Sequence, residues 1–290
     1  MLGPEDLVLC AGTGPRAPFA ERAAAAAAAG FAGISVFVDD FEAARAKGLS
    51  EADLRAILAD HGLRVAEVDP LLRWLPGSEP ATGTATGSGV SAEGVGFFRY
   101  GEDDFYRVAD ALGARSLNAV VYTDEPVETD SLVESFAGLC DRAAGHDLLV
   151  HLEFLPWTPV ADAFAALAIA EAAGRRNGGI MLDTWHHFRG AVPDERLCEL
   201  PGERVLAVQL SDAPAATEAN PVEETLRRRL LPGEGDIDLP SLLRILREIG
   251  SPAPLGVEVF SDTLAALPMD EAARRAADTT RAALGLARTD

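Results

Sequence analysis

DLLVHLEFLPWTPVADAFAALAIAEAAGRRNGGIMLD, residues 147–183, holds one complete strand–helix–strand unit. Its first run, through Phe154, and its last, Gly178–Asp183, are short and apolar, the pattern of strands covered on both faces. Between them Val160–Ala173 is rich in Ala and contains no Gly or Pro, which predicts a helix able to cross back over a parallel sheet.

The same unit repeats in both directions. Upstream, LVLC near Leu7 precedes a helix from about Pro18 to Ala29, and ISVFV from Ile34 precedes a helix that Ser50 caps and Gly62 ends. RVAEVD then supplies a third strand, Glu102–Leu112 leads into SLNAVVY, and Thr129–Ala144 leads into the quoted unit. Downstream come Val205–Leu210, a helix from about Leu239 to Ile249 capped by Asp238, the strand PLGVEVF, and a closing helix over Asp270–Leu286. Strict alternation predicts an α/β chain with a parallel sheet, and eight units is the number that closes a (β/α)8 TIM barrel. A doubly wound sheet is disfavoured, because AGTGPRAP offers Gly12 and Gly14 and then breaks with prolines where a dinucleotide fingerprint would stand. A single domain over residues 1–290 is expected. Within it residues 76–96, rich in Gly, Ser and Thr, read as a mobile, lid-like insertion or a disordered surface loop.

Four polar residues end four successive strands: Glu153 in HLEF, Asp183 in IMLD, Gln209 in AVQL and Glu258 in GVEVF. In a barrel these positions converge on one face, where carboxylates repel one another unless a cation sits among them. Four oxygen donors suit one hard divalent ion, Mn2+ or Mg2+; the plainer alternative is a hydrogen-bonded structural cluster. His186, three residues beyond Asp183, can lean back over this set as an acid/base or substrate-holding group, whereas His187 reads as a packing residue. His151 shares the parity of Glu153 and is expected to point into the barrel. Glu67, Asp69, Asn118 and Tyr122 are further polar candidates near strand ends, and Trp74, Trp157 and Trp185 could wall a pocket.

Composition excludes several classes. Acidic residues outnumber basic ones, 46 to 25, for a net charge of −21, which argues against nucleic acid and anionic membranes as partners. Lys47 is the sole lysine and sits in a polar stretch, so Schiff-base and pyridoxal phosphate chemistry lack their central residue. Cys10, Cys140 and Cys198 match no zinc spacing and read as small buried hydrophobes in a reducing compartment. The start of the chain lacks a basic leader, and Ala23–Ala29 is too short to span a bilayer, so a cytoplasmic location is expected. A small-molecule substrate is the expected partner, and homo-oligomerisation stays open.

HLEFLP around Glu153, MLDTWHH around Asp183 and His186, VQLSDAP around Gln209, PGEGDIDL from Pro232 and GVEVFS around Glu258 give the chain its likeness to a known group. In order and spacing they resemble the xylose isomerase-like TIM-barrel superfamily, which holds sugar epimerases, inosose isomerases and dehydratases, 3-dehydroshikimate dehydratases and apurinic endonucleases. The resemblance implies that Glu153, Asp183, Gln209 and Glu258 bind one divalent metal and that Glu153 and Glu258 move protons. It further implies an isomerase or epimerase that abstracts a proton α to a carbonyl on a sugar, polyol or related hydroxy ketone. Gln209 replaces the histidine usual in the epimerases and is similar to some dehydratase-like members, so a lyase is the alternative; a non-catalytic binding barrel is a third. The epimerases carry an arginine soon after this ligand. Here Arg227, Arg228 and Arg229 come later; Arg228, with His186 and Trp157, is the expected substrate contact, against a solvated helix face. The endonuclease reading fails, since five histidines cannot supply three zinc ions.

Overall fold

The computed structural model describes residues 1–76, 97–123 and 126–286. Eight parallel strands close into a barrel in chain order. They are β1 (Leu7–Leu9), β2 (Gly33–Val36), β3 (Arg64–Leu71), β4 (Ser116–Val120), β5 (Leu149–Glu153), β6 (Gly178–Asp183), β7 (Val205–Leu210) and β8 (Leu255–Val257). Closure is made by β1 against β8, with Val8 opposite Gly256. The TIM barrel expected from the alternation is the fold observed.

The helices start and stop where side chains settle their free backbone groups. Ser50 Oγ accepts from the Asp53 N–H at 3.1 Å while the Asp53 carboxylate accepts from the Ser50 N–H at 2.7 Å, a reciprocal cap on Glu51–Asp60. Asp238 caps Leu239–Glu248 through the Ser241 N–H. The crossover from β5 to β6 is Ala163–Ala173, three residues shorter at its start than the sequence suggests, because Asp162 is the cap and accepts from Phe164 and Ala165. Gly113 and Gly174 end their helices in the left-handed conformation.

Four short helices escape the sequence reading: Val38–Ala46, Thr184–Arg189, Pro221–Arg227 and Asp262–Ala265. Each lies in a β-to-α connection at the carboxyl end of the barrel, too short for helical periodicity to register. Cys10 and Cys140 are buried as expected, but Cys198 is exposed. Its neighbour Leu197 takes the buried side of the short 3-10 segment Asp194–Glu199. Of the predicted insertion at 76–96, residues 77–96 lie outside those described. Among the described residues no helix is long and apolar enough to cross a membrane.

Candidate active site

Strand register brings Asp183 and Gln209 level, with Glu153 opposite Met181, two residues short of Asp183. Val120 pairs with Glu153, Asp183 pairs with Gln209, and Gln209 pairs with Gly256, so the carboxyl ends of β4 to β8 form one rim. Glu258, one residue beyond β8, is fixed there by its N–H donating to Leu210 O at 2.9 Å. Gly256 is required opposite the glutamine: a Cβ would lie 2.7 Å from Cys10 Sγ and 2.9 Å from Val208 O.

Asp183 does two jobs. It ends β6 and caps the helix Thr184–Arg189, with Oδ1 accepting from the His186 N–H at 2.9 Å. That single turn returns the His186 ring over the strand ends, which explains the three-residue spacing. His186 Nε2 lies 3.4 Å from Glu153 Oε1 and 4.0 Å from Asp183 Oδ2.

Arg229, buried, is the cation of the cluster. It donates to Asp183 Oδ2 at 2.7 Å and to Glu258 Oε2 at 3.4 Å, and its other terminal nitrogen lies 3.3 Å from His186 Nε2. Burial works against charge on Asp183, but Arg229, with the His186 backbone N–H, outweighs it and holds this carboxyl below its usual pKa. Burial, then Asp69, push Glu258 well above the usual carboxylate range. A guanidinium has no acceptor, so its contact makes Nε2 of His186 the acceptor and assigns the ring proton to Nδ1. Nε2, its lone pair engaged by Arg229, lies beside the oxygens of Glu153 and Asp183, whose free lone pairs converge where a cation would resolve them.

A second network backs the first. Asn118 donates to Asp69 Oδ1 at 2.7 Å and to Glu153 Oε2 at 2.6 Å, while its own oxygen accepts from His151 Nδ1 at 3.2 Å. His151 Nε2 is left needing a donor. Ser116 Oγ sits 3.1 Å away but spends its hydrogen on Ala66 O, so Glu67 Oε2 at 3.2 Å must carry the proton. The electrostatics agree: burial lifts Glu67 to about 7 and drops His151 to about 3. Burial, together with Glu67 and Glu153, raises Asp69 as well.

The donor set fits a divalent ion. One ligand atom each from Glu153, Asp183 and His186 lies within 4.8 Å of the others, all buried. Gln209 donates its amide to Glu67 Oε1 at 3.3 Å and Glu258 Oε1 at 3.2 Å, leaving its own buried Oε1 without a partner. A buried carbonyl oxygen is costly to strand, and a cation among the carboxylates satisfies it.

The cleft above is lined on one side by Asp69, Glu153, His186, Arg229 and Glu258, and on the other by Leu72, Phe98, Val120, Tyr122, Leu155 and Trp157. Trp157 stands on this wall, edge-on to His186 with ring centres 5.6 Å apart, its indole N–H buried and unpartnered. Trp74 does not reach the cleft, donating instead to Val120 O beneath it. Arg228, the expected substrate contact, is exposed and paired with Glu218 and Glu223. Its neighbour Arg229 enters the cleft in its place, because the chain leaves the helix Pro221–Arg227 with the Arg229 N–H bonded to Phe260 O. His187 packs away from the site, against Asp194 at 2.9 Å.

The chain belongs to the xylose isomerase-like TIM barrel family, whose model matches residues 23–283. It is 28% identical to the 3-dehydroshikimate dehydratase of Pseudomonas aeruginosa, across 86% of this chain and 37% of that protein. It is 33% identical to an inosose isomerase of Halalkalibacterium halodurans, across 52% of this chain and 53% of that one. The chain therefore spans about a third of the length of the first relative and about half of the second. A putative hydroxypyruvate isomerase of Streptomyces coelicolor aligns at 28% identity over 83% of this chain and 85% of its own. Among solved structures, the IOLI protein with a bound zinc atom superposes with a TM-score of 0.79 at 21% identity, covering 97% of this chain and 98% of that one.

Proposed function

We propose that this protein is a divalent-metal-dependent enzyme that abstracts a proton α to the carbonyl of a small hydroxy ketone, the chemistry of isomerases and epimerases in carbohydrate metabolism. The observation that carries it is the convergence of Glu153, Asp183 and His186 on one buried point beside the stranded Gln209 oxygen. Glu153, Asp183, Gln209 and Glu258 would hold the ion, while His186 Nε2 accepts from Arg229. Mn2+ and Mg2+ are the candidates for an all-oxygen set.

The bound metal would act as a Lewis acid on the substrate carbonyl. Glu258, fixed at the rim just beyond β8, would take the α-proton. Glu153 stands three strands away around the ring, held by Asn118. It would deliver a different proton to the opposite face, leaving the abstracted one on Glu258 until both carboxyls exchange with solvent. His186 would donate from its unpartnered Nδ1–H to the substrate, and Trp157 would close the apolar side of the cleft.

Dehydration is the second reading, favoured by the alignment to a dehydratase over 86% of the chain. There the His186 donor would assist a departing hydroxyl in place of reprotonation.

Proton NMR in D2O tests both. Metal-loaded enzyme with a panel of ketoses, inososes and 3-dehydroshikimate should erase an α-proton signal, with the product separating isomerase from lyase. Glu258→Gln should slow the exchange by about 10²–10⁴-fold. Exchange that persists at the wild-type rate in that variant sinks the assignment.

A further inference from the structure

We infer that the substrate is uncharged: a neutral hydroxy ketone that sets a C–H face against the aromatic wall and bears neither phosphate nor carboxylate. The inference rests on the proposed reading of this cleft as the substrate site.

Arg229 is the one Lys or Arg lining the cleft among the described residues. Residues 77–96 hold no Lys, Arg or His. Its five N–H donors are already spent. Nε donates to Thr225 O at 3.0 Å, one terminal nitrogen serves Asp183 and Glu258, and the other serves Thr225 Oγ1 at 2.8 Å and His186 Nε2. The rings of Trp185 and Phe260 also pack against the guanidinium, with centroids 5.5 Å from its central carbon. An anion could recruit Arg229 only by stripping it from Asp183.

The charge balance opposes anions too. Asp69, Glu153 and Glu258 line the cleft with that one guanidinium, and Asp183 is paired with it, so four carboxyls face one guanidinium and, when bound, one divalent ion. A phosphate or carboxylate would meet no net attraction in a poorly screened site. Of the three arginines of the neighbouring cavity, Arg22 is paired with Asp40 and Arg227 with Asp262, and Arg16 lines that cavity and not this one.

What the cleft offers in surplus is neutral. Trp157 and His186, which line the cleft, each keep a buried N–H without a partner, suited to a carbonyl or hydroxyl oxygen, and the carboxylates suit hydroxyl hydrogens.

The test is calorimetric binding to Mg2+-loaded enzyme of matched pairs: D-fructose with D-fructose 6-phosphate, and 2-inosose with 3-dehydroshikimate. In every pair that gives heat, the neutral member should bind about tenfold or more tightly than its anionic partner. Val222→Lys, which places a cation on the cleft wall, should narrow that gap. An anion that binds as well as or better than its neutral partner overturns the inference, and so does the absence of heat from every pair. Proton exchange in D2O is read separately. A neutral ligand that binds without exchange sinks the enolising reaction and leaves the charge assignment standing, while an anion that binds and exchanges does the reverse.

Discussion

Glu67 and Gln209 show how much a single buried side chain can fix. The Glu67 proton follows from counting hydrogens around His151, and burial agrees by raising its pKa to about 7. A carboxyl that holds its proton more tightly when folded stabilises the fold below its unfolded value near 4.5 and loses that contribution as pH rises through about 7. Glu67→Gln keeps the shape of the protonated acid. The metal-free variant should therefore exceed wild type at pH 8, by roughly 1–3 kcal/mol, and converge with it below pH 5. Urea titrations across that range measure it; parallel curves would mean that Glu67 is ionised. Gln209→Leu removes the stranded oxygen and should weaken divalent metal binding by about 10–100-fold in calorimetry. Unchanged affinity would take Gln209 out of the ligand set.

Elements matter here through their ends. Asp162→Ala removes one oxygen that accepts two N–H groups, at 2.9 Å each, and should cost about 1 kcal/mol in thermal or urea unfolding. Turnover should be unaffected, since Asp162 lies outside the cleft. The PGEGD segment is a different kind of element. Asp212 accepts from Gly233, Ile237 and its own neighbour Ala213, wrapping the loop onto the end of β7. A Cβ on Gly235 would stand 2.4 Å from Asp212 Oδ1 and 2.5 Å from Ala213 O. Gly235→Ala should thus lower stability by about 1–3 kcal/mol and loosen the end of β7, read as faster amide exchange at Leu210 and Asp212. Unaltered exchange there would mean that the loop and strand are independent.

At the scale of the molecule, the barrel converts eight local units into one ring whose upper rim gathers like charges. That concentration is a cost the fold carries, and a bound ion relieves it. Divalent metal at about 100 times its Kd should stabilise the protein by about 2.7 kcal/mol, seen as a rise in Tm. Asp183→Asn should abolish most of that rise. A rise of equal size in the variant would locate metal binding elsewhere.

The alternation of apolar runs and helices fixed the eight-unit barrel from sequence alone, because each β/α unit is locally encoded and only its number needs counting. The strand-end positions of Glu153, Asp183, Gln209 and Glu258 were legible for the same reason: strand parity and direction dictate where a carboxyl-terminal side chain goes. The His186 placement needed just one helical turn more. What sequence could not decide is which of three consecutive arginines enters the cleft. Arg228 and Arg229 differ by one position, yet one is exposed among glutamates and the other is buried between Asp183 and Glu258. That choice is made by the chain's exit from a short helix and a backbone bond to Phe260, contacts between segments about thirty residues apart. The roles of Glu67, Asp69 and Asn118 were hidden likewise, since a proton shared across β3, β4 and β5 exists only after the strands are laid side by side.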